Sequence, residues 1–389
     1  MMHRAMLLLL LFLAGAAPLN FGHGPMARSR AHASRLTAPV CARPGSNIVM
    51  SNVAALELEG GEDEGNATLL QRPLVFIFGL GYTGTATARV LAASGCDVVG
   101  SCRRTSLASA AQGAGGIRVV TFDENGLSAD GRAALEEATH VLSTIPPTLP
   151  PGASADPVLQ DAGVLLGERI RSGQLRWVGY LSTTSVYGDH QGAWVDETSP
   201  TRAPVRVRLG VEAAWSALAA GHDSAAVAIF RLAGIYGPGR SALDTLRRKG
   251  IDGATGAGAG NPTSRVHVDD IAGAVAAALR ASCSGVYNLA DLRPAPRNEV
   301  MQFCAELIGG GASLAPPPVL DDPLEACERS QRRGQESKRV DGGKLRRELG
   351  YEYAYPDYVA GLTAIAEGER ARANTVSDVT DVVITSPVL

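Results

Sequence analysis

The sequence predicts an α/β protein built on a doubly wound parallel sheet. Three observations carry that reading. From Arg72 onward, short apolar runs alternate with helical patterns, the order produced by a parallel sheet covered on both faces. Glycines, prolines and a capping aspartate punctuate the junctions, where helices start and stop. The first apolar run leads through a glycine-rich turn directly into a helix, the opening unit of a dinucleotide-binding domain.

Each element follows in order. Leu74–Phe78 is an unbroken apolar run, as a strand buried on both faces requires. Gly84–Ala93 is a helix ended by Gly95, and Asp97–Ser101 and Ile117–Phe122 are strands. Asp130–Ala138 is a short helix. His140–Ile145 is a strand stopped by Pro146 and Pro147, since proline donates no ladder hydrogen bond. Asp156 caps a helix with Pro157 at its first position and an end near Gly173. Trp177–Leu181 is a strand, and Val207–Ala220 is a helix closed by Gly221. Ala226–Leu232, Asp269–Arg280 and Val286–Ala290 continue the alternation, with Asp269 and Asp270 read as helix caps.

Segments 189–205, 240–265 and 293–350 fit the alternation poorly and are expected to form a small C-terminal substrate lobe. The domain therefore spans 71–372, after an acidic, glycine-rich linker at 57–70 and before a disordered tail at 373–389. Arg4 precedes the apolar run Ala5–Ala14, and Ala14-Gly15-Ala16 fits a signal cleavage site. Arg28, Arg30, Arg35 and Arg43 follow among Ser, Ala and Pro, with no acid before Glu57, which is transit-peptide composition. Residues 1–56 are expected to be a signal plus transit peptide leading to a plastid, with secretion as the alternative. Without them, 31 basic face 39 acidic side chains, a net −8. An acidic chain without a clustered basic face opposes nucleic-acid binding. No membrane partner is expected for the mature form. The six cysteines lack C-x-x-C spacing, so neither a disulfide framework nor a metal is expected.

The chemistry begins at Gly79-Leu80-Gly81-Tyr82-Thr83-Gly84. Gly79 permits the turn, Gly81 admits backbone to a pyrophosphate, and Gly84 lets helix pack on strand. The helix N-terminus adds unpaired N–H groups and partial positive charge. The second strand ends Ser101-Cys102-Arg103-Arg104. An NAD site carries an acid there for the ribose, whereas two guanidiniums suit a 2′-phosphate. NADP is favoured as cofactor, with NAD possible. Asp123, just past the third strand, is placed to accept from the adenine amino group or to make a turn. Ser143, Thr144 and Ile145 end the fourth strand above the expected nicotinamide ribose.

Four further motifs identify a family resemblance. "LSTTSVYGD" (Leu181–Asp189), "RLAGIYGPGR" (Arg231–Arg240), "RVHVDDIAGAVAAAL" (Arg265–Leu279) and "GVYNLADLRP" (Gly285–Pro294) resemble the extended short-chain dehydrogenase/reductases of the NAD-dependent epimerase/dehydratase group. The resemblance covers Arg72 to Glu367 and implies a Rossmann fold with a small C-terminal substrate lobe. It implies that Thr183 orients a substrate oxygen. It also implies a catalytic Tyr four residues before a Lys, with a Glu four residues further on. Aligning on Glu212 puts Arg208 at the lysine position and Pro204 at the tyrosine position. Arg208 supplies charge but cannot shuttle a proton, and proline has none to give. Tyr187, Asp189, His190 and Tyr236 lie at strand ends as substitutes, Tyr187 at a place that is usually structural in the family. Arg202, Arg206 and Arg208 line the expected cleft rim, either to serve an acidic substrate or as solvated charge around a helix start. Arg240 and Arg265 are expected either to face the substrate cleft, where the family often meets a phosphate-bearing group, or to make structural ion pairs.

The expected function is an NAD(P)(H)-dependent oxidoreductase or epimerase-like enzyme acting on a small carbonyl, hydroxyl or sugar-type substrate. A non-catalytic NADP(H)-binding redox-responsive or assembly protein is the alternative, because the family's tyrosine is absent. A homodimer is possible.

Overall fold

The computed structural model describes residues 72–103, 116–148, 156–203, 207–222, 224–249, 260–309 and 337–384, with side chains to 372. The leader, the linker, Arg104, Pro204 and Arg206 lie outside the described residues.

The first strand, β1 (Leu74–Phe78), leads into α1 (Tyr82–Ala93), β2 (Asp97–Cys102) and β3 (Arg118–Asp123). A short β4 (Gly126–Leu127) turns back on β3, followed by α2 (Ala129–Glu137), β5 (His140–Ser143) and α3 (Pro157–Arg171). The second half runs β6 (Trp177–Thr183), a 3-10 turn at Thr184–Tyr187, β7 (Trp194–Val195), α4 (Val207–Ala217) and β8 (Ala226–Leu232). Then come β9 (Gly234–Tyr236), α5 (Ala242–Lys249), β10 (Pro262–Thr263), β11 (Arg265–His267), α6 (Val268–Arg280) and β12 (Gly285–Leu289). The chain closes with β13 (Ala295–Pro296), α7 (Arg297–Leu307), β14 (Arg339–Val340), α8 (Gly343–Leu349) and α9 (Tyr358–Ile384).

The main sheet runs β12-β8-β6-β5-β1-β2-β3-β4, parallel throughout except for β4. Strand order reverses between β1 and β5. In such a sheet the crevice for ligands opens at that reversal, beyond the strands' carboxyl ends. The apolar run of β1 explains its central place. Val75 and Ile77 pack on one face with Ala88 and Leu91 of α1 and Ile271 of α6. Phe76 and Phe78 pack on the other with Leu135, Leu166 and Trp215. Val75, Phe76, Ile77 and Phe78 are all fully buried, and burying a side chain of this size is worth about 1.5–3 kcal/mol.

A third, separate core joins α5, α7 and α9 through Leu243, Leu246, Met301, Cys304, Leu362 and Ile365. Two of its helices, α5 and α7, come from the segments that fit the strand–helix alternation poorly. After this core the chain adds β14, which pairs with β7 in a two-stranded sheet of its own.

Two local readings need correction. Asp270 is not a cap. It is buried and accepts hydrogen bonds from Ala354 N, Tyr355 N and the Tyr351 hydroxyl, pinning the approach to α9. The cap of α6 is His267, whose Nδ1 accepts from Asp269 N at 3.2 Å. The last helix also continues to Ile384, past Ala373 where a disordered tail was expected, since Glu, Ala and Arg around 367–373 favour helix.

Candidate active site

Gly79 sits at φ +97°, a conformation that glycine adopts freely. A β-carbon there would strike Thr144 Oγ1 and Ile145. A β-carbon on Gly84 would land on the Gly79 carbonyl oxygen. Gly81, the residue before α1, faces open space, and no acid occupies the helix's first turn. The loop is held from both neighbours. Leu80 N donates to Ser101 O at 2.7 Å, and Thr144 Oγ1 donates to Gly79 O at 2.7 Å. Ser143 is fully buried, and its Oγ has no hydrogen-bond partner among the described residues. An open first turn with unpaired amides, a cradle too tight for a side chain and an orphaned hydroxyl beside it fit a dinucleotide.

On the adenosine side, Arg103 is exposed one residue past β2. Asp123 Oδ1 accepts from Asn125 N at 2.8 Å, so this carboxylate serves the β3–β4 turn.

The main cleft, about 490 Å³, brings Gly81, Tyr82, Thr83 and Gly84 together with Thr144, Ser182, Thr183, Arg208 and Arg240. Thr183 ends β6, and its oxygen accepts from Ser185 N at 3.2 Å, which leaves the hydroxyl proton for a ligand. Arg208 reaches the cleft from α4, as the alignment on Glu212 predicts. It also lies against Tyr180, whose hydroxyl burial pushes up to about 12 while Arg208 opposes the rise.

Tyr187 is not in the cleft. It is fully buried; its hydroxyl donates to Asn288 Oδ1 at 2.7 Å and accepts from Arg231 Nη1 at 3.1 Å. Burial raises its pKa, so its assignment to catalysis is overturned and its role is structural. The other substitutes are also committed. Asp189 Oδ1 accepts from Gln191 N and Ser337 N, and His190 Nε2 bonds Pro200 O at 3.0 Å. Tyr236 donates to Asp357 O at 3.3 Å, and burial pushes its pKa far up.

Behind the cleft, Ser182 Oγ donates to Glu212 Oε1, and Glu212 is held bidentately by Arg231. Beside the cleft, Arg240 stacks over the Tyr82 ring at 5.5 Å, and the Tyr82 hydroxyl donates to Pro238 O. Past Arg240, a second opening of about 410 Å³ is lined by Arg240, Arg248, Arg265 and Arg297, with Asp244 as its acid. Asp244 is already used by Ser241 at the start of α5. Arg265 Nη1 donates to Thr263 O and Ala295 O, so this arginine helps tie the lobe together as well as lining the opening. Sequence reasoning missed Lys338, which borders a third opening of about 230 Å³ together with Thr183, Ser185 and Thr263. No local pattern around Lys338 announces this, because its position depends on β14 pairing with a strand about 145 residues earlier.

No family model matches the sequence. The chain is 30% identical over 286 residues to "Protein YeeZ" of Escherichia coli (strain K12), spanning 73% of this chain and 96% of that protein. Among solved structures, a functionally unknown conserved protein from Silicibacter pomeroyi is 33% identical, with a TM-score of 0.58 over 76% of this chain and 99% of that one. The UDP-glucose-4-epimerase of Stenotrophomonas maltophila, solved with bound NAD, is 18% identical with a TM-score of 0.57 over 78% and 100% of the two chains. At that identity it shares the fold.

Proposed function

Because the chain belongs to the family of Protein YeeZ, with the epimerase-like fold of the extended short-chain dehydrogenase/reductases, we propose that it is an NADP(H)-dependent oxidoreductase or epimerase-like enzyme. Its substrate is a small carbonyl, hydroxyl or sugar-type compound. The observation that carries the reading is a cleft that brings the glycine loop to Thr183 and Arg208 and shares Arg240 with a second, arginine-lined opening. A protein that only stored a cofactor has no use for the second opening.

The nicotinamide cofactor supplies or accepts a hydride when bound. The chain does the rest. Amides of Gly81 and the first turn of α1 hold the diphosphate. Arg103 binds the 2′-phosphate, and the absence of an acid at the end of β2 removes the usual ribose ligand of NAD. Thr144, which lines the cleft, stands at the ribose of the reactive half, while Ser143 is buried behind it. Arg208 adds positive charge there, and Thr183 orients the substrate oxygen. Arg240, Arg248 and Arg297 favour an anionic group on the substrate.

The test is fluorescence titration and thermal shift of the purified protein with NADPH and NADH. Saturable NADPH binding at least tenfold tighter than NADH is expected. No response at millimolar NADPH would refute the reading, and equal affinity would remove only the NADP preference. The non-catalytic alternative rests on the missing tyrosine, and it predicts binding without turnover on any carbonyl.

A further inference from the structure

We propose that Lys338 is the proton donor to the substrate oxygen, in place of the absent tyrosine. The proposal rests on the cofactor reading above and adds a residue to it.

Thr183 borders two openings, one shared with the glycine loop and one shared with Lys338. An oxygen held by Thr183 therefore lies where both openings meet. The titratable side chains lining these two openings, among the described residues, are Tyr82, Arg208, Arg240 and Lys338. Arginine stays protonated and gives no proton away. The Tyr82 hydroxyl donates to Pro238 O at 3.2 Å, and burial, with Asp269 adding to it, pushes its pKa up to about 12. It also stands at the first turn of α1, at the diphosphate end of the cleft. Lys338 is the group left that can give and retake a proton.

Its placement is built. Lys338 Nζ donates to Gly188 O at 3.0 Å. Gly188 closes the 3-10 turn whose first cap is Thr183. The amine and the orienting hydroxyl are thus tied to opposite ends of one turn. Behind Lys338, Val340 N donates to Ser264 Oγ at 2.9 Å, and Ser337 N donates to Asp189 Oδ1 at 3.0 Å. The chain also uses lysine sparingly. Of its 36 lysines and arginines, only Lys249, Lys338 and Lys344 are lysine. Lys344 donates to Val286 O and lies over the Tyr287 ring, and Lys249 is exposed at the end of α5.

In the reducing direction the carbonyl carbon accepts a hydride from the reduced nicotinamide. The carbonyl π pair moves onto oxygen, and that oxygen takes a proton from the Lys338 ammonium. The products are the alcohol, the oxidised nicotinamide and a neutral amine, which solvent reprotonates. Thr183 donates a hydrogen bond to the same oxygen throughout. Oxidation runs the steps in reverse.

The test uses the full chain, NADPH and 9,10-phenanthrenequinone as the probe carbonyl. Lys338→Met should lower NADPH consumption at least a hundredfold, within the range of about 10²–10⁴ for a lost general acid, and change NADPH affinity less than threefold. Lys338→Arg, which keeps the charge, should be as slow as Lys338→Met. Added methylamine should restore part of the Lys338→Met rate. A readout without turnover comes from ¹³C-dimethylation of the three lysines. The resonance missing in Lys338→Met should shift when NADPH is added to the wild-type protein. The assignment is overturned by variant rates within threefold of wild type, by a Lys338 resonance that ignores bound NADPH, or by a wild-type protein that binds NADPH and leaves the probe unreduced. Failure to bind NADPH at all refutes the cofactor reading instead.

Discussion

Glu212 and Arg231 form a buried bidentate ion pair, with Arg231 Nη2 2.8 Å from Glu212 Oε2 and both side chains only 8% exposed. The pair joins α4 to β8 and receives Ser182 Oγ on the cleft side and Tyr187 on the other. It therefore fixes the end of β6 from which Thr183 projects.

Breaking this pair leaves one buried charge without its partner, which costs about 3–5 kcal/mol. Glu212→Ala should lose that much stability in urea unfolding, whereas Glu212→Leu with Arg231→Met should recover most of it. A loss below 1 kcal/mol in the single variant would contradict the account.

Tyr187→Phe separates a structural tyrosine from a catalytic one. The variant strands Asn288 Oδ1 and Arg231 Nη1, at a cost of about 1–3 kcal/mol. Turnover of the probe quinone at 25 °C should change less than threefold. A hundredfold loss of turnover with unchanged stability would return Tyr187 to the chemistry.

The glycines of the loop should fail in different ways. Gly81 has φ −80° and open space around it. Gly81→Ala should keep its melting temperature within a few degrees and weaken NADPH at least tenfold, because the methyl projects where the diphosphate approaches. Gly84→Ala should lose stability as well as binding, because its methyl overlaps the Gly79 carbonyl. The reverse pattern would misplace the diphosphate.

His267 gives the fold an acid limit. Burial lowers its pKa from 6.5 to about 4, and its Nδ1 must stay unprotonated to accept from Asp269 N. With the folded value below the ordinary one, its contribution is complete above pH 6.5 and is lost as the pH falls toward 4. His267→Asn keeps a capping acceptor without the titration. Unfolding free energy of the wild type should therefore fall more steeply than that of the variant between pH 6.5 and 4. Parallel slopes would contradict this.

Much of the fold was readable because it is written in local patterns. Leu74–Phe78 and Ala226–Leu232 are strands with the expected ends, since short, almost wholly buried apolar runs have few alternatives. Asp156 caps its helix as expected, with Pro157 at the first position. The glycine loop was equally readable, because each glycine answers a steric need next to it. What escaped depends on distant chain. His190 was half attractive as a base until Ser337 and Pro200 closed around it. Asp270 resembled a cap until the segment near Ala354 folded over it. Lys338 was invisible because the polar residues that share its opening, Thr183, Ser185 and Thr263, lie far away in sequence.

The most direct measurement is a crystal structure of the protein grown with NADPH. The account predicts the diphosphate within hydrogen-bond reach of the amides opening α1, the 2′-phosphate on Arg103, and nicotinamide C4 facing Thr183 with Lys338 across the opening. A cofactor bound elsewhere, or a cleft left vacant at millimolar NADPH, would contradict it.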